Sequence, residues 1–204
     1  MPITPTEKIW MNGELVAWED AKIHVLTHTL HYGTGVFEGV RAYETDQGPA
    51  VFRLTDHMAR LHASARILGM ELPYSVDELV QATKDVVAAS GLPSCYIRPI
   101  AYYGYGEMGL STLPCSVDVA IACWPWGAYL GDDALTKGVK LKTSSWTRLD
   151  HNTMPPAAKT TGNYVNSTLA KVEALKGGYD EALMLNPQGF VSECTGENVF
   201  VARH

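Results

Sequence analysis

The chain has 204 residues, enough for one large domain or two small ones, and either would bury a sizeable core. With 46% hydrophobic and 19% charged residues, it lies far from the polar, highly charged mixtures that stay disordered. A formal net charge of -6, with no cluster of Lys and Arg, argues against a nucleic-acid partner, which would need phosphates neutralised.

The first thirty residues carry Glu7, Lys8, Glu14, Glu19, Asp20 and Lys22, so no apolar signal-peptide core is expected there. No stretch reaches the roughly 18 apolar residues of a membrane span. A cytoplasmic protein without a membrane partner is expected. Cys95, Cys115, Cys123 and Cys194 lack C-x-x-C spacing, which fits free thiols in a reducing compartment.

Along the chain, Asn12-Gly13 sits between two apolar runs and predicts a hairpin. Strands are expected over 36–43 and 50–54, separated by Asp46-Gln47-Gly48-Pro49. Met58, Leu61, Ala65 and Leu68 recur at helical steps and predict a helix over 56–70. Ser75 followed by Glu78 is a capping-box pattern that starts a second helix, and Gly91 and Pro93 stop it. Strands are expected over 95–103 and 117–124. Residues 125–131 are rich in turn formers and aromatics and mark a boundary. Beyond it, a strand over 139–145, a helix over 163–175 and strands over 181–186, 190–193 and 198–202 complete an α+β pattern without internal repeats.

Lys159 lies in Pro155-Pro156-Ala157-Ala158-Lys159-Thr160-Thr161-Gly162-Asn163-Tyr164, a run of small residues leading into a helix. A lysine that forms a Schiff base must lose its proton, and an apolar setting favours that loss; the bland alternative is a solvated loop lysine. Glu193 falls at the end of an expected strand. A carboxylate there is either an ordinary surface group or a partner that keeps a pyridinium nitrogen protonated. Arg60, on the 56–70 helix, offers a fork suited to phosphate, although most helix arginines simply face solvent. His24, His28 and His31 follow a four-then-three step that would align them on a helix as metal ligands, but no acidic residue joins them and glycines interrupt just beyond. Gly33-Thr34-Gly35-Val36-Phe37-Glu38-Gly39 fits neither of the common phosphate-loop spacings.

Five blocks in this order carry a resemblance: residues 31–43 (His31-Tyr32-Gly33-Thr34-Gly35-Val36-Phe37-Glu38-Gly39-Val40-Arg41-Ala42-Tyr43), 53–60, Tyr96-Ile97-Arg98-Pro99, 125–131, and 158–164 with 192–200. Together they resemble the branched-chain aminotransferases, class IV enzymes that use pyridoxal 5'-phosphate, over nearly the whole chain. The resemblance implies a two-domain α+β fold of fold type IV, like that of D-amino acid aminotransferase. Its small domain would span 1–124, a linker 125–135, and the first part of an incomplete cofactor-binding domain 136–204.

The resemblance also implies roles. Lys159 would be the Schiff-base lysine and proton carrier, Arg60 a phosphate ligand, Tyr164 a partner of the cofactor's phenolic oxygen, and Glu193 the partner of its ring nitrogen, with Asn198 also at the cofactor. Tyr32, Phe37, Gly39, Trp126 and Tyr129 would enclose an aliphatic side chain, and Arg98 would meet the second carboxylate of glutamate. Met108 and Leu110 would reach the neighbouring subunit's site, so a homodimer is the implied catalytic unit, alone or within a homohexamer. The implied reaction moves the amino group of leucine, isoleucine or valine to 2-oxoglutarate, and no metal takes part. The alternatives are a D-amino acid aminotransferase or aminodeoxychorismate lyase of the same fold, and, in another class, a non-catalytic metal- or ligand-binding protein built on the three histidines. Two departures stand out. Thr160, Thr161 and Thr195 replace small residues, and relatives extend well past this length to supply a helix N-terminus for the phosphate.

Overall fold

The structure, a computed structural model, describes residues 3–127 and 134–203. The chain divides into two compact units, Met1–Trp126 with Ala158–Gly162, and Gly127–Ala157 with Asn163–His204.

In the first unit, β1 (Lys8–Met11) and β2 (Glu14–Ala17) form the expected hairpin. Asn12 at φ 50° and Gly13 at φ 101° supply the two positive φ values that match a two-residue turn to the twist of its strands. A 3-10 turn (Trp18–Asp20) leads to α1 (His28–Tyr32). The strand expected over 36–43 is two strands, β3 (Gly35–Phe37) and β4 (Val40–Tyr43), which share one continuous register. The break has a local cause. Opposite Glu38 stands Pro99, whose carbonyl accepts the Glu38 N–H at 2.9 Å but which has no N–H to return.

β5 (Ala50–Val51) pairs with β4, and Leu54, expected in that strand, instead opens α2 (Leu54–Ile67). In α3 (Val76–Ser90) the capping box is complete, with Ser75 and Glu78 each accepting the other's backbone N–H, and Gly91 at φ 64° closes the helix. β6 (Cys95–Tyr103) and β7 (Val117–Trp124) run as expected. Among the described residues the sheet order is β2-β1-β7-β6-β4-β5, with β3 also on β6, and every pairing is antiparallel.

Alternation along these strands sorts the side chains. Val36, Val40, Ile97, Ala101, Val119 and Ile121 join one buried cluster with Met58 and Leu61 of α2 and Leu79 and Val86 of α3. Each such large apolar side chain contributes about 1.5–3 kcal/mol by leaving water. The intervening positions, among them Phe37, Tyr96 and Arg98, point to the opposite face, which the two helices do not cover.

The second unit contains α4 (Ala134–Lys137), β8 (Leu141–Thr143), α5 (Tyr164–Lys176), β9 (Glu181–Leu185) and β10 (Val191–Cys194). Its sheet order is β10-β9-β8, with β8 and β9 parallel and α5 between them in the chain. Ala170 and Ala174 of α5 pack on Ala182 and Met184 of β9. Residues 198–202, expected as a strand, form none, because no described segment offers them a ladder partner. The four cysteines are free, and Cys95, Cys123 and Cys194 are buried. Among the described residues no helix is long and apolar enough to cross a membrane.

Candidate active site

Lys159 rides on a short strap, Ala158–Gly162, that counts with the first unit. The strap lies along the edge of β3 not taken by β6. Val36 and Thr160 form an antiparallel bridge, Phe37 N–H donates to Lys159 O at 3.0 Å, and Thr161 N–H donates to Gly35 O at 2.8 Å. On its other side the Lys159 N–H donates to the hydroxyl of Ser64, a fully buried residue of α2, at 3.1 Å. Both backbone groups of the lysine are therefore fixed, and its amine stands 5.1 Å from the centroid of the Phe37 ring.

Phe37 also carries the guanidinium of Arg98, 4.6 Å from the same centroid. Pairing explains the meeting: Phe37 is opposite Ile100 on β6, and Arg98 is the next residue on that face. Arg98 Nη2 donates to the Tyr96 hydroxyl at 2.8 Å, and the Tyr96 ring packs edge-on against Trp126 at 4.4 Å. Trp126 O accepts from Arg41 Nη2 at 2.7 Å. Gly39 borders this group, and a Cβ there would run into the Tyr96 hydroxyl. One sheet face thus gathers an amine, a guanidinium and an aromatic wall.

Arg60 is anchored by a group the sequence reading did not single out. Glu38, fully buried, accepts from Arg60 Nε and Nη2, each at 2.6 Å, and faces His57 Nδ1 at 2.9 Å. Burial pushes the Glu38 carboxyl up, but the bonds from Arg60 and His57 outweigh it and hold the group below its usual value. The side-on grip sets the plane of the guanidinium. A lone carboxylate inside an apolar strand, with His57 and Arg60 three apart on the next helix, was the signal available in the sequence.

The second unit holds Tyr164, Glu193 and Asn198. Glu193 follows a register shift in β10 and forms an ion pair with Arg148 Nε. Arg148 is itself buried and donates through Nη1 to Ser167 Oγ at 3.2 Å and Asn166 Oδ1 at 3.3 Å. Tyr164 is the first residue of α5, and Asn198 is exposed in the segment after β10. In the same unit, the buried Glu181 accepts from Lys171 at 2.7 Å and from Thr195 at 2.6 Å. Burial, and then the hydrogen bond to Glu181, push the Glu197 carboxyl up to about 7.

Met108 and Leu110 are exposed on a loop, Tyr32 is partly exposed at the end of α1, and Tyr129 lies outside the described residues. The histidines have other work. His28 Nε2 donates to Gly109 O at 2.7 Å, which leaves Nδ1 to accept from Thr34 Oγ1 at 2.8 Å; His31 Nε2 donates to Val25 O at 2.8 Å, and His24 Nδ1 accepts the Leu26 N–H at 3.1 Å. Among the described residues no group of three or more His, Cys, Asp or Glu is placed to hold a metal ion. The metal-site alternative has no support in this arrangement.

The family model for class IV amino-transferases matches residues 35–204, a span that contains Phe37, Glu38, Arg60, Lys159 and Glu193. This chain belongs to the class IV aminotransferases. It is 54% identical over 195 residues to a branched-chain-amino-acid aminotransferase of Pseudomonas aeruginosa, covering 96% of this chain and 64% of that protein. The crystal structure of the Escherichia coli branched-chain amino acid aminotransferase superimposes with a TM-score of 0.93 at 49% identity, covering 95% of this chain and 64% of that one. The branched-chain amino acid aminotransferase of Thermobaculum terrenum, solved in its PLP form, gives 0.84 at 36% identity over 94% of this chain and 62% of that one. The fold is therefore the mixed α+β fold type IV of these aminotransferases. This class IV chain spans about 64% of the length of such relatives.

Proposed function

We propose that the complete protein is an aminotransferase that uses pyridoxal 5'-phosphate to move the amino group of leucine, isoleucine or valine to 2-oxoglutarate. The carrying observation is Lys159, with its main chain fixed by Ser64 and β3 and its amine set on the Phe37 ring. The donor set fits this cofactor: an amine for an aldehyde, the Arg60 guanidinium for a phosphate, and the Glu193 carboxylate for a ring nitrogen. When bound, the cofactor supplies that aldehyde and an electron-accepting ring.

In this reading residues 1–124 form the small domain, 125–135 the linker and 136–204 the start of the cofactor domain. Lys159 holds the cofactor and moves the substrate's Cα proton, which requires its amine to be unprotonated when it acts. Arg60, its plane set by Glu38, binds phosphate. Glu193, held by Arg148, keeps a proton on the ring nitrogen; Tyr164 donates to the phenolic oxygen, and Asn198 also contacts the cofactor. Tyr32, Phe37, Gly39, Trp126 and Tyr129 exclude water from the aliphatic side chain. Arg98 receives the second carboxylate of glutamate. Met108 and Leu110 serve the neighbouring subunit's site, and the catalytic unit is a homodimer, alone or within a homohexamer.

The relatives' names support the branched-chain reading over the D-amino acid aminotransferase and aminodeoxychorismate lyase alternatives. The test is borohydride reduction of the full-length, cofactor-loaded protein, followed by peptide mapping and a panel of L- and D-amino acids. A label on Lys159 and turnover of L-leucine, L-isoleucine and L-valine are expected. A label elsewhere removes Lys159 from the role, and a preference for D-alanine overturns the substrate.

A further inference from the structure

Thr161 has no part in the proposed chemistry, yet its side chain joins two functional segments. Its hydroxyl donates to Gly33 O at 2.8 Å, with Gly35 O a second acceptor at 3.3 Å, and accepts the Gly35 N–H at 3.2 Å. Its own N–H donates to Gly35 O at 2.8 Å, and Gly162 N–H donates to Gly33 O at 3.2 Å.

The segment so tied needs outside support. Gly33 sits at φ 67°, and a Cβ on it would come within 2.8 Å of Gly162 Cα. At Gly35 a Cβ would come within 2.9 Å of Thr29 Oγ1 and 3.2 Å of Thr161 Cγ2. Both positions require glycine, and glycine leaves the backbone freer than any other residue. Thr34 between them ties the bend to α1 through His28 Nδ1, 2.8 Å from its hydroxyl, but the two glycines have no side chain with which to hold the bend to the lysine strap. Tyr32 precedes it and Phe37 follows it, so looseness in the bend is passed to both rings.

We propose that Thr161 is a positioning residue for substrate: its hydroxyl locks the Gly33–Gly35 bend to the lysine strap and so holds Tyr32 and Phe37 as a fixed wall for the substrate's apolar side chain. The proposal rests on the functional reading above. Valine has the shape of threonine without the hydroxyl, so Thr161→Val keeps the Cγ2 contact and removes only the bonds through Oγ1.

The test uses the full-length, cofactor-loaded protein. In Thr161→Val the KM for leucine is expected to rise about tenfold with kcat within about twofold, because the wall acts on binding rather than on proton transfer. Amide hydrogen exchange at Gly35 should quicken, and Thr161→Ser, which restores the hydroxyl, should return both readings toward the parent. Unchanged KM, or unchanged exchange at Gly35, overturns the proposal. So does a KM shift that serine fails to reverse. Borohydride labelling of the parent separates the two failures: a label on Lys159 with an unchanged KM in Thr161→Val sinks the positioning role alone, whereas no label on Lys159 sinks the functional reading and this role with it.

Discussion

The backbone N–H of Lys159 donates to the hydroxyl of Ser64 at 3.1 Å, and Ser64 lies one helical turn beyond Arg60 on α2. One helix therefore fixes both the main chain of the lysine and the guanidinium held by Glu38. Ser64 is fully buried, so Ser64→Ala would leave the Lys159 N–H without its acceptor. A stability loss of about 1–3 kcal/mol is expected in urea unfolding. The same variant should take up pyridoxal 5'-phosphate less completely, read from its visible absorption. Parent-like loading at reduced stability would show that the bond serves folding alone.

Glu38 makes a prediction with a sign. Its folded-state carboxyl lies below its unfolded value, so its contribution to stability is present above an unfolded pKa of about 4.3 and is lost as pH falls through the lower folded value. Glu38→Gln should flatten the acid limb of a stability-pH profile below about pH 4.3. Glu38→Ala, which removes the acceptor shared by Arg60 and His57, should cost about 1.5–3 kcal/mol at neutral pH through the lost bonds to a charged group. A parent-like acid limb in Glu38→Gln would show that this carboxyl does not set it.

Glu197 should act in the opposite sense. Its folded pKa of about 7 lies above the unfolded value, so folding takes up a proton, and the stabilisation is complete below the unfolded pKa and lost as pH rises through about 7. Glu181 faces it from β9, kept ionised by Lys171 and by the Thr195 hydroxyl despite its burial. The parent should lose stability between about pH 4.3 and pH 7, and Glu197→Gln should remove that decline. Thermal melts across this range, with both proteins in the same buffers, are the measurement.

Arg148 is the buried member of its ion pair with Glu193, and it also bonds Asn166 and Ser167. Arg148→Met fills much of the same space without these bonds. A loss of about 2 kcal/mol is expected from denaturant melts, because bonds to a charged group are worth about 1.5–3 kcal/mol each and Glu193 can turn to water. An unchanged midpoint would show that the ion pair adds nothing to stability.

Thr160 offers a gain. Its hydroxyl is buried with no hydrogen-bond partner, beside a strand bridge that Val36 shares. Thr160→Val keeps the shape and removes the stranded polar group, so stability should rise by about 1 kcal/mol, seen as a higher Tm. A lower Tm would mean that the hydroxyl is satisfied after all.

Much of the local structure was legible in the chain itself. Asn12-Gly13 specifies a turn through two positive φ values, Ser75 and Glu78 specify a helix start through reciprocal bonds, and the apolar runs of β6 and β7 specify two strands. These depend on neighbours a few residues apart, which a sequence displays. Where the reading erred, the cause was a partner further away. Pro99 divides the strand expected over 36–43 because it cannot return a bond to Glu38, and residues 198–202 are no strand because nothing described pairs with them.

Tertiary structure alone decided which groups meet. Glu38 looked like one more residue of a glycine-rich strand, yet strand alternation and the docking of α2 turn it into the buried anchor of Arg60. Lys159 looked like a loop lysine, and only a free edge on β3 together with a hydroxyl from α2 gives its strap a place to bind. Short-range preferences are encoded in adjacent residues, whereas a ladder edge or a buried counter-charge exists only once distant segments have closed on one another.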